Sequence, residues 1–207
     1  MSYEVIQRVN SIKFLGVFYD DTMSFKTHIT HLSQRLSRTA SLLYRVQQFM
    51  PPSILKIMYH AHVSSILNYC NIIWSNTYPT HLQPIIKMQK RIIRIITNSD
   101  FLEHTEPLFK QCKILNIENL RKFSLAVNFF KNIDVLLPQF QQNHAYNTRN
   151  RNRPRPIHHH RTVYEKSFLN QLPVIWNELL DKCPDILAGN TSIATFKKNL
   201  KQHLISS

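Results

Sequence analysis

The spacing of apolar residues predicts helix along most of the chain. Apolar side chains recur at helical spacing in segments that run roughly from 25 to 49, from 52 to 74 and from 81 to 97. Pro51 and Pro52 separate the first two segments, because proline stops one helix and is tolerated in the first turn of the next. Shorter helices are predicted at 106–112, 117–131, 167–180 and 192–204, with Thr105 and Asn116 as caps of the first two.

The N-terminal residues follow a strand pattern instead. β-branched and aromatic residues dominate Tyr3–Val9 and Ile12–Tyr19, and Asn10-Ser11 between them predicts a β-hairpin. A turn over Asp20–Ser24 follows, in which Ser24 is placed to cap the first long helix. The sequence therefore predicts a mainly α-helical fold with a short N-terminal β-hairpin.

A polar stretch interrupts the helical pattern at 139–161. It lacks apolar periodicity and contains NTRNRNRPRPIHHHR, in which arginine alternates with asparagine and proline. Such a composition offers no apolar face to bury, so we expect a linker or basic arm that is mobile when free. Helical order is expected to resume near Ser167, as C-terminal helices.

The composition excludes several function classes. The two glycines, Gly16 and Gly189, are too few for a GxGxxG dinucleotide loop or a phosphate-binding P-loop. No apolar run reaches the roughly 18 residues that a membrane span needs, so no segment is expected to span a bilayer. Three widely spaced cysteines, Cys70, Cys112 and Cys183, indicate thiols in a reducing intracellular compartment, either cytoplasm or nucleus.

The charge balance points to a polyanionic partner. The formal net charge is +14; nucleic acid is the commonest partner of so basic a chain, and an anionic membrane surface is the other candidate. Of the two we expect nucleic acid and no membrane partner. From Thr22 to Ser99 the sequence contains nine Lys or Arg and no Asp or Glu. From Val135 to Tyr164 it contains five Arg and again no acid. These two stretches are therefore the candidates for contact with the partner.

The cations of these stretches form three groups. On the third long helix they share one face, opposite the isoleucines: Lys87, Lys90, Arg91 and Arg94. A similar face of the first long helix carries His28, His31, Arg35, Arg38 and Arg45. The arm carries Arg149, Arg151, Arg153 and Arg155. Because no acid offsets the helical groups, phosphate contact explains them better than an ordinary solvated surface; for the arm, a soluble linker is an equal alternative.

A pair of aspartates follows the predicted hairpin. Phe18-Tyr19-Asp20-Asp21 resembles the aromatic-x-Asp-Asp box of reverse transcriptases, where two aspartates hold divalent metals. Two-metal phosphoryl transfer needs a further carboxylate from a separate strand, and Glu4 is the only acid ahead of Tyr19. We therefore interpret Asp20 and Asp21 as turn residues near a helix N-terminus, and we expect no catalytic residue in the chain.

No metal or cofactor is expected either. Histidines occur as His28 with His31, as His60 with His62 and in the run 158–160, but the sequence has no CxxC and no HExxH. A nucleophilic Cys–His pair has no local signature in the sequence and stays open as an alternative.

A series of short motifs resembles the C-terminal region of non-LTR (LINE, Jockey-like) retrotransposon reverse transcriptases. KFLGV at 13–17, followed by Asp20 and by SFKTHI at 24–29, is similar to the segment that closes that family's palm. Five further segments of this chain are similar to motifs that follow in the same order in that family: LYR at 43–45, Tyr69–Trp74, LQPIIKMQKRIIRIIT at 82–97, HTEPLF at 104–109 and YNTR at 146–149. The segment around Trp176 departs from the family, because it lacks the usual Gly before Trp176 and the usual Pro after Leu179.

The resemblance implies four parts and a partner. The parts are an end-of-palm β-hairpin at 1–23, a thumb-like helical bundle at 24–134, a basic linker or arm at 135–166 and a C-terminal helical segment at 167–207. The family's Asp-Asp box lies upstream of FLGV, so this chain is expected to begin after the catalytic carboxylates and not to be an enzyme. The implied partner is RNA or an RNA–DNA duplex, bound without sequence preference. A separate palm-containing polypeptide is a second candidate partner.

Two other interpretations stay open. In the first, the chain is a retrotransposon remnant, either without selected function or domesticated as a protein-interaction module. In the second, it is a polymerase that acts through Asp20 and Asp21. An upstream frame that encodes a palm and an endonuclease would indicate a truncated element copy. Metal-dependent primer extension that is lost in Asp20→Asn and Asp21→Asn would indicate a polymerase.

Overall fold

A computed structural model describes residues 8–140, 153–157, 162–183 and 192–206. These residues form a two-stranded antiparallel hairpin followed by helices, which confirms the mainly helical fold predicted from the sequence. Within these ranges no helix is both long and apolar enough to cross a lipid bilayer.

The elements have the following bounds. The strands are β1 (Ser11–Phe14) and β2 (Val17–Asp20). The helices are α1 (Lys26–Val46), α2 (Pro52–Tyr59), α3 (Ser65–Asn68), α4 (Asn71–Trp74), α5 (Pro79–Thr97), α6 (Thr105–Cys112), α7 (Ile117–Lys131), α8 (Ile133–Phe140), α9 (Thr162–Glu165), α10 (Phe168–Lys182) and α11 (Ile193–Ser206). A π-helical turn, His60–Ser64, joins α2 to α3.

The hairpin turns at Leu15-Gly16, so the predicted turn at Asn10-Ser11 was wrong. Phe14 pairs with Val17, which leaves a two-residue loop. Leu15 has φ 46° and Gly16 has φ 81°, and a type I′ loop requires a positive φ at both positions. Gly16 adopts that conformation without a steric penalty. Residues 3–7 of the predicted first strand lie outside the described residues.

The first hydrophobic core lies between α1 and α5. The two helices pack along each other through apolar stripes that include Ile29, Leu36 and Leu43 on α1 and Ile85 and Ile92 on α5. Full burial of each such side chain contributes about 1.5–3 kcal/mol. The hairpin, α2, α4 and α6 add residues to the same core. This packing turns the opposite faces of α1 and α5 outward.

The second core joins α7 to the C-terminal helices. Phe129 on α7 packs against Trp176 on α10, with ring centroids 4.7 Å apart, and Phe196 on α11 completes the cluster. Ile117, at the start of α7, belongs to the first core. The helix therefore links the part interpreted as thumb-like to the C-terminal segment.

Two parts of the expected arm are ordered against the second core. Helix α8 occupies 133–140 and buries Phe140, although a linker was expected from 135. Residues 153–157 lie against α10: the Asn170 side chain accepts from the Ile157 amide at 2.8 Å and donates to the Ile157 carbonyl at 2.9 Å. Asn177 donates to the Pro154 carbonyl at 2.8 Å. Side-chain bonds to backbone hold this segment, and apolar periodicity carries no signal of them.

Candidate nucleic-acid interface

The outward face of α5 carries exposed cations. Lys87, Lys90 and Arg91 are exposed, whereas the isoleucines on the other side of the helix are buried. The structure thus places these three side chains on one face, at the spacing that the sequence predicted. In the described part of the chain none of them forms an ion pair with a carboxylate.

This face forms one wall of a cavity of about 690 Å³, which we call the α5 cavity. Its cations are Lys87, Lys90, Arg91 and Arg94. Tyr44 of α1 and Gln47, the residue that follows the helix, line another side, and the loop after α5 contributes Asn98, Ser99, Asp100 and Phe101. Met88 and Ile95 add apolar surface. The cavity therefore combines positive charge with aromatic and apolar surface, and Asp100 is the one carboxylate among its lining residues.

Arg94 differs from the other three cations. Its Nε and Nη2 both donate to the Glu103 carbonyl, at 3.0 and 2.8 Å. Its guanidinium also lies 5.9 Å from the centre of the Phe101 ring, at the distance of a cation–π contact. Arg94 therefore fastens the loop that follows α5, a contact that its position in the basic stripe did not predict.

The cations of α1 lie partly around a second, smaller cavity. Arg35 and Arg38 line a space of about 420 Å³ together with His62, which lies in the π-helical turn. Arg45 is exposed near the C-terminal end of the helix. Within the described residues, no carboxylate pairs with any of the three arginines.

His28 does not belong to the exposed basic face, and its placement there was wrong. The side chain is 2% exposed, and its ring packs edge-on to Trp74 with centroids 5.8 Å apart. Burial, helped by the nearby positive charges of His31 and Arg35, lowers the pKa of His28 to about 4. The imidazole is therefore neutral at neutral pH and forms part of the first core.

The aspartate pair has structural contacts. Asp20 accepts hydrogen bonds from the Ser24 amide at 2.6 Å, the Ser24 hydroxyl at 2.9 Å and the Thr22 hydroxyl at 3.0 Å. Partial burial raises the pKa of Asp20, but these bonds outweigh it and hold the pKa below its usual value. Asp21 pairs with Arg8 at 3.1 Å. Asp20 is thus the last residue of β2, and its carboxylate holds the turn that follows the strand.

The predicted Ser24 and Thr105 caps are wrong in position. Phe25 takes the N-cap position of α1 in a left-handed conformation, and Ser24, one residue earlier, accepts from the Lys26 amide at 3.4 Å. Thr105 is the first residue of α6, and His104 takes the N-cap position. Asn116 does cap α7, as predicted, by accepting from the Asn119 amide at 2.8 Å. Across the described residues no cluster of three or more His, Cys, Asp or Glu is arranged to hold a metal ion.

The arginines of the arm fall into two sets. Arg149 and Arg151 lie outside the described residues. Arg153 pairs with Asp181 of α10 at 2.7 Å, and the Arg155 amide donates to the Phe140 carbonyl at 3.1 Å. The structure therefore gives the Arg153 side chain a partner on α10 and the Arg155 backbone a partner on α8, and the role of the arm arginines as phosphate ligands stays a prediction.

The structure also brings together a cysteine and a histidine. Cys183 Sγ and His203 Nε2 lie 3.0 Å apart, where α10 meets α11. No local motif indicates this pair, because twenty residues separate the two positions. The contact joins the ends of two helices of the second core.

Tyr44, His62 and Phe101 line the two cavities, although the sequence did not predict them as binding residues. Tyr44 stands beside Arg45 in the LYR motif, and Phe101 follows the end of the basic helix. Both are exposed aromatics, and that exposure becomes visible only once the core is known. The sequence feature that could have indicated Tyr44 and Phe101 is their position close to the basic residues.

Comparisons with known proteins found no relatives. No protein-family model matches the chain, and no curated protein and no solved structure is similar enough to count as a match. The resemblance to retrotransposon reverse transcriptases therefore stays a prediction from the motifs.

Proposed function

We propose that the chain binds RNA or an RNA–DNA duplex, without sequence preference, through the outward faces of α1 and α5. The observation that carries the proposal is the set of exposed cations that these two packed helices present without carboxylate partners in the described ranges: Arg35, Arg38, Arg45, Lys87, Lys90 and Arg91. These positions belong to the stretch Thr22–Ser99, which contains no acid.

Electrostatics supports a polyanion as the partner. Like charges on neighbouring turns of a helix repel, and oppositely charged neighbours would relieve the repulsion. Neither α1 nor α5 carries an acidic residue that could do so, and a row of phosphates would supply the missing negative charge. Binding would also release counterions condensed on the nucleic acid, which adds a salt-dependent driving force. Contacts of this kind carry no base readout, so sequence preference is not expected.

The motifs support the same partner. If the resemblance to non-LTR reverse transcriptases holds, α1 to α6 correspond to a thumb, which grips the template–primer duplex. The described residues would then be the thumb-like and C-terminal part of a reverse-transcriptase-like protein, with nucleic-acid binding as their role. Catalysis is no part of the proposal, because Asp20 and Asp21 are engaged in turn and ion-pair contacts.

The test is a titration of the chain against a labelled RNA duplex and an RNA–DNA duplex at several salt concentrations. We expect the logarithm of the affinity to fall linearly with the logarithm of the salt concentration. The double variant Lys87→Ala with Arg91→Ala should bind more weakly and should lower the slope by about 0.9 for each phosphate contact removed.

A charge-matched control separates local contact from net charge. Lys131→Ala with Lys198→Ala removes two exposed cations from α7 and α11 and should leave the slope nearly unchanged. Equal effects of the two double variants, or an affinity that hardly responds to salt, would contradict the proposal.

A protein-interaction module is a second candidate function, favoured by the hairpin. Ile12, Phe14 and Leu15 are 57%, 60% and 72% exposed, although all three are large and apolar. Exposed apolar groups on a strand edge favour contact with another polypeptide. A palm-containing polypeptide is the partner that the motifs suggest for this surface.

A further inference from the structure

We propose that the α5 cavity binds an unpaired nucleotide of single-stranded RNA, with the base against Tyr44 and Phe101 and the phosphates on Lys87, Lys90 and Arg91. The inference rests on the proposed function and narrows it, because it assigns the cavity to single strands and leaves duplex binding to the wider basic face. Three observations on the cavity support it.

The first observation is the exposure of the two aromatic rings. Tyr44 is 60% exposed and Phe101 is 79% exposed, and both line the cavity. A large aromatic left in water gives up the stabilisation that burial would bring. Single-stranded nucleic-acid sites combine a positively charged groove with aromatic side chains on which bases stack. Paired bases in a duplex have no free face for such stacking, so the rings favour an unpaired base.

The second observation is the shape and lining of the cavity. At about 690 Å³ it is concave and within the range of small-ligand sites. Met88 and Ile95 give it an apolar lining beside the cations. Phosphate contacts alone need neither a concavity nor an apolar lining, because a duplex backbone is read from a flat or ridged basic face. A base inserted between the cations and the rings uses both features.

The third observation is the uneven charge of the cavity. The cations Lys87, Lys90 and Arg91 come from α5, whereas Asp100 and Phe101 come from the loop that follows it. A carboxylate repels phosphate but accepts hydrogen bonds from a ribose hydroxyl or an exocyclic amino group. The phosphates are therefore assigned to the helix side, and the base and ribose to the loop side.

The loop side is held in place before any ligand arrives. Arg94 binds the Glu103 carbonyl through two N–H groups and lies over the Phe101 ring. A ring that is already fixed loses less conformational freedom on stacking than a freely rotating one. This arrangement suits Phe101 as a stacking platform.

The experiment compares two single strands on the full chain by fluorescence anisotropy. One is a short labelled oligouridine, and the other has the same backbone with abasic riboses in place of the central nucleotides. We expect the abasic strand to bind roughly tenfold more weakly, the size of effect that follows the loss of one stacked base. An RNA duplex of the same length is measured in parallel.

Variants assign the effect to the cavity. Tyr44→Leu and Phe101→Leu should each weaken oligouridine binding by about fivefold or more without changing the salt slope, because no cation is removed. Neither should weaken duplex binding. The matched control is Phe49→Leu, which removes a 75% exposed aromatic near the end of α1 that does not line the cavity.

The outcomes separate this inference from the function on which it rests. Equal binding of the normal and abasic strands, or unchanged oligouridine affinity in both aromatic variants, would overturn the inference while salt-dependent duplex binding still supports the proposed function. If neither strand nor duplex binds at low salt, both proposals fail. Loss of oligouridine binding in Phe49→Leu equal to that in Tyr44→Leu would also overturn the assignment to this cavity.

Discussion

Gln89 donates from Nε2 to the Tyr59 hydroxyl at 2.8 Å, deep in the first core. The same nitrogen donates to the Leu115 carbonyl at 2.9 Å, and Gln89 Oε1 accepts from the Ile117 amide at 2.9 Å. Gln89 is 1% exposed and Tyr59 is also 1% exposed. One side chain of α5 thus satisfies groups at the end of α2 and at the start of α7. It fixes the basic helix against the rest of the molecule.

Replacing Gln89 by leucine should destabilise the fold strongly. The variant leaves three buried polar groups without their partner, and each unsatisfied group costs about 1–3 kcal/mol. We expect Gln89→Leu to lower the free energy of unfolding by about 3 kcal/mol or more, measured by urea denaturation followed by circular dichroism. Tyr59→Phe should cost about 1 kcal/mol, because Gln89 keeps its other two bonds.

Gln83→Leu is the matched control for this prediction. Gln83 lies on the same helix and is exposed, so its replacement should change the stability by less than about 0.5 kcal/mol. A similar loss in Gln83→Leu and Gln89→Leu would mean that helix propensity, and not the buried bonds, sets the effect.

Periodicity predicted the parts of the fold that depend on apolar burial. The position of α1 was predicted from its apolar stripe, Ile29, Leu32, Leu36 and Leu43. The isoleucines likewise predicted α5 and its outward basic face. Because a helix must bury its apolar stripe, the opposite face and the cations on it followed directly. The same reasoning could not assign Gln89, since a polar residue on a buried face is recognised only when its partners from distant segments are known.

Contacts with residues distant in sequence explain why the surroundings of His28 and Arg153 differ from those that the sequence predicts. His28 fits the spacing of the basic face, yet Trp74 and the hairpin cover it. Arg153 is part of an arginine-rich run, yet Asp181, distant along the chain, pairs with it. In both cases the sequence shows the expected residue type at the expected spacing, but it does not show the environment of the side chain. The contact that decides the role comes from a residue far away in sequence.

The stability of the protein should fall as the pH drops from about 6.5 towards 4. The His28 pKa is about 4 in the folded protein, against an ordinary value of 6.5. Between these values the unfolded chain binds a proton that the folded chain does not, so acidification favours unfolding. With about 1.4 kcal/mol for each pKa unit, we expect His28 to account for a loss of up to about 3 kcal/mol over this interval.

Urea denaturation of His28→Phe at several pH values between about 7 and 4 checks this prediction. Phenylalanine keeps a ring against Trp74 but does not titrate, so the dependence of stability on pH in this interval should become shallower. His62→Gln removes an exposed histidine instead and serves as the control. If the parent protein and His28→Phe lose stability in parallel, the buried imidazole is not the cause.

Arg94 should act on RNA binding through the loop that it holds. Arg94→Lys keeps the positive charge but cannot reproduce the two bonds from one planar guanidinium to the Glu103 carbonyl. We expect this variant to increase amide hydrogen exchange at 99–103 and to weaken oligouridine binding, with an unchanged salt slope. Lys87→Ala should show the opposite pattern: unchanged exchange in the loop and a slope lower by about 0.7, the value for one contact to a single strand. If Arg94→Lys binds as the parent does and Arg94→Gln lowers the slope, Arg94 is a phosphate ligand and the positioning role is wrong.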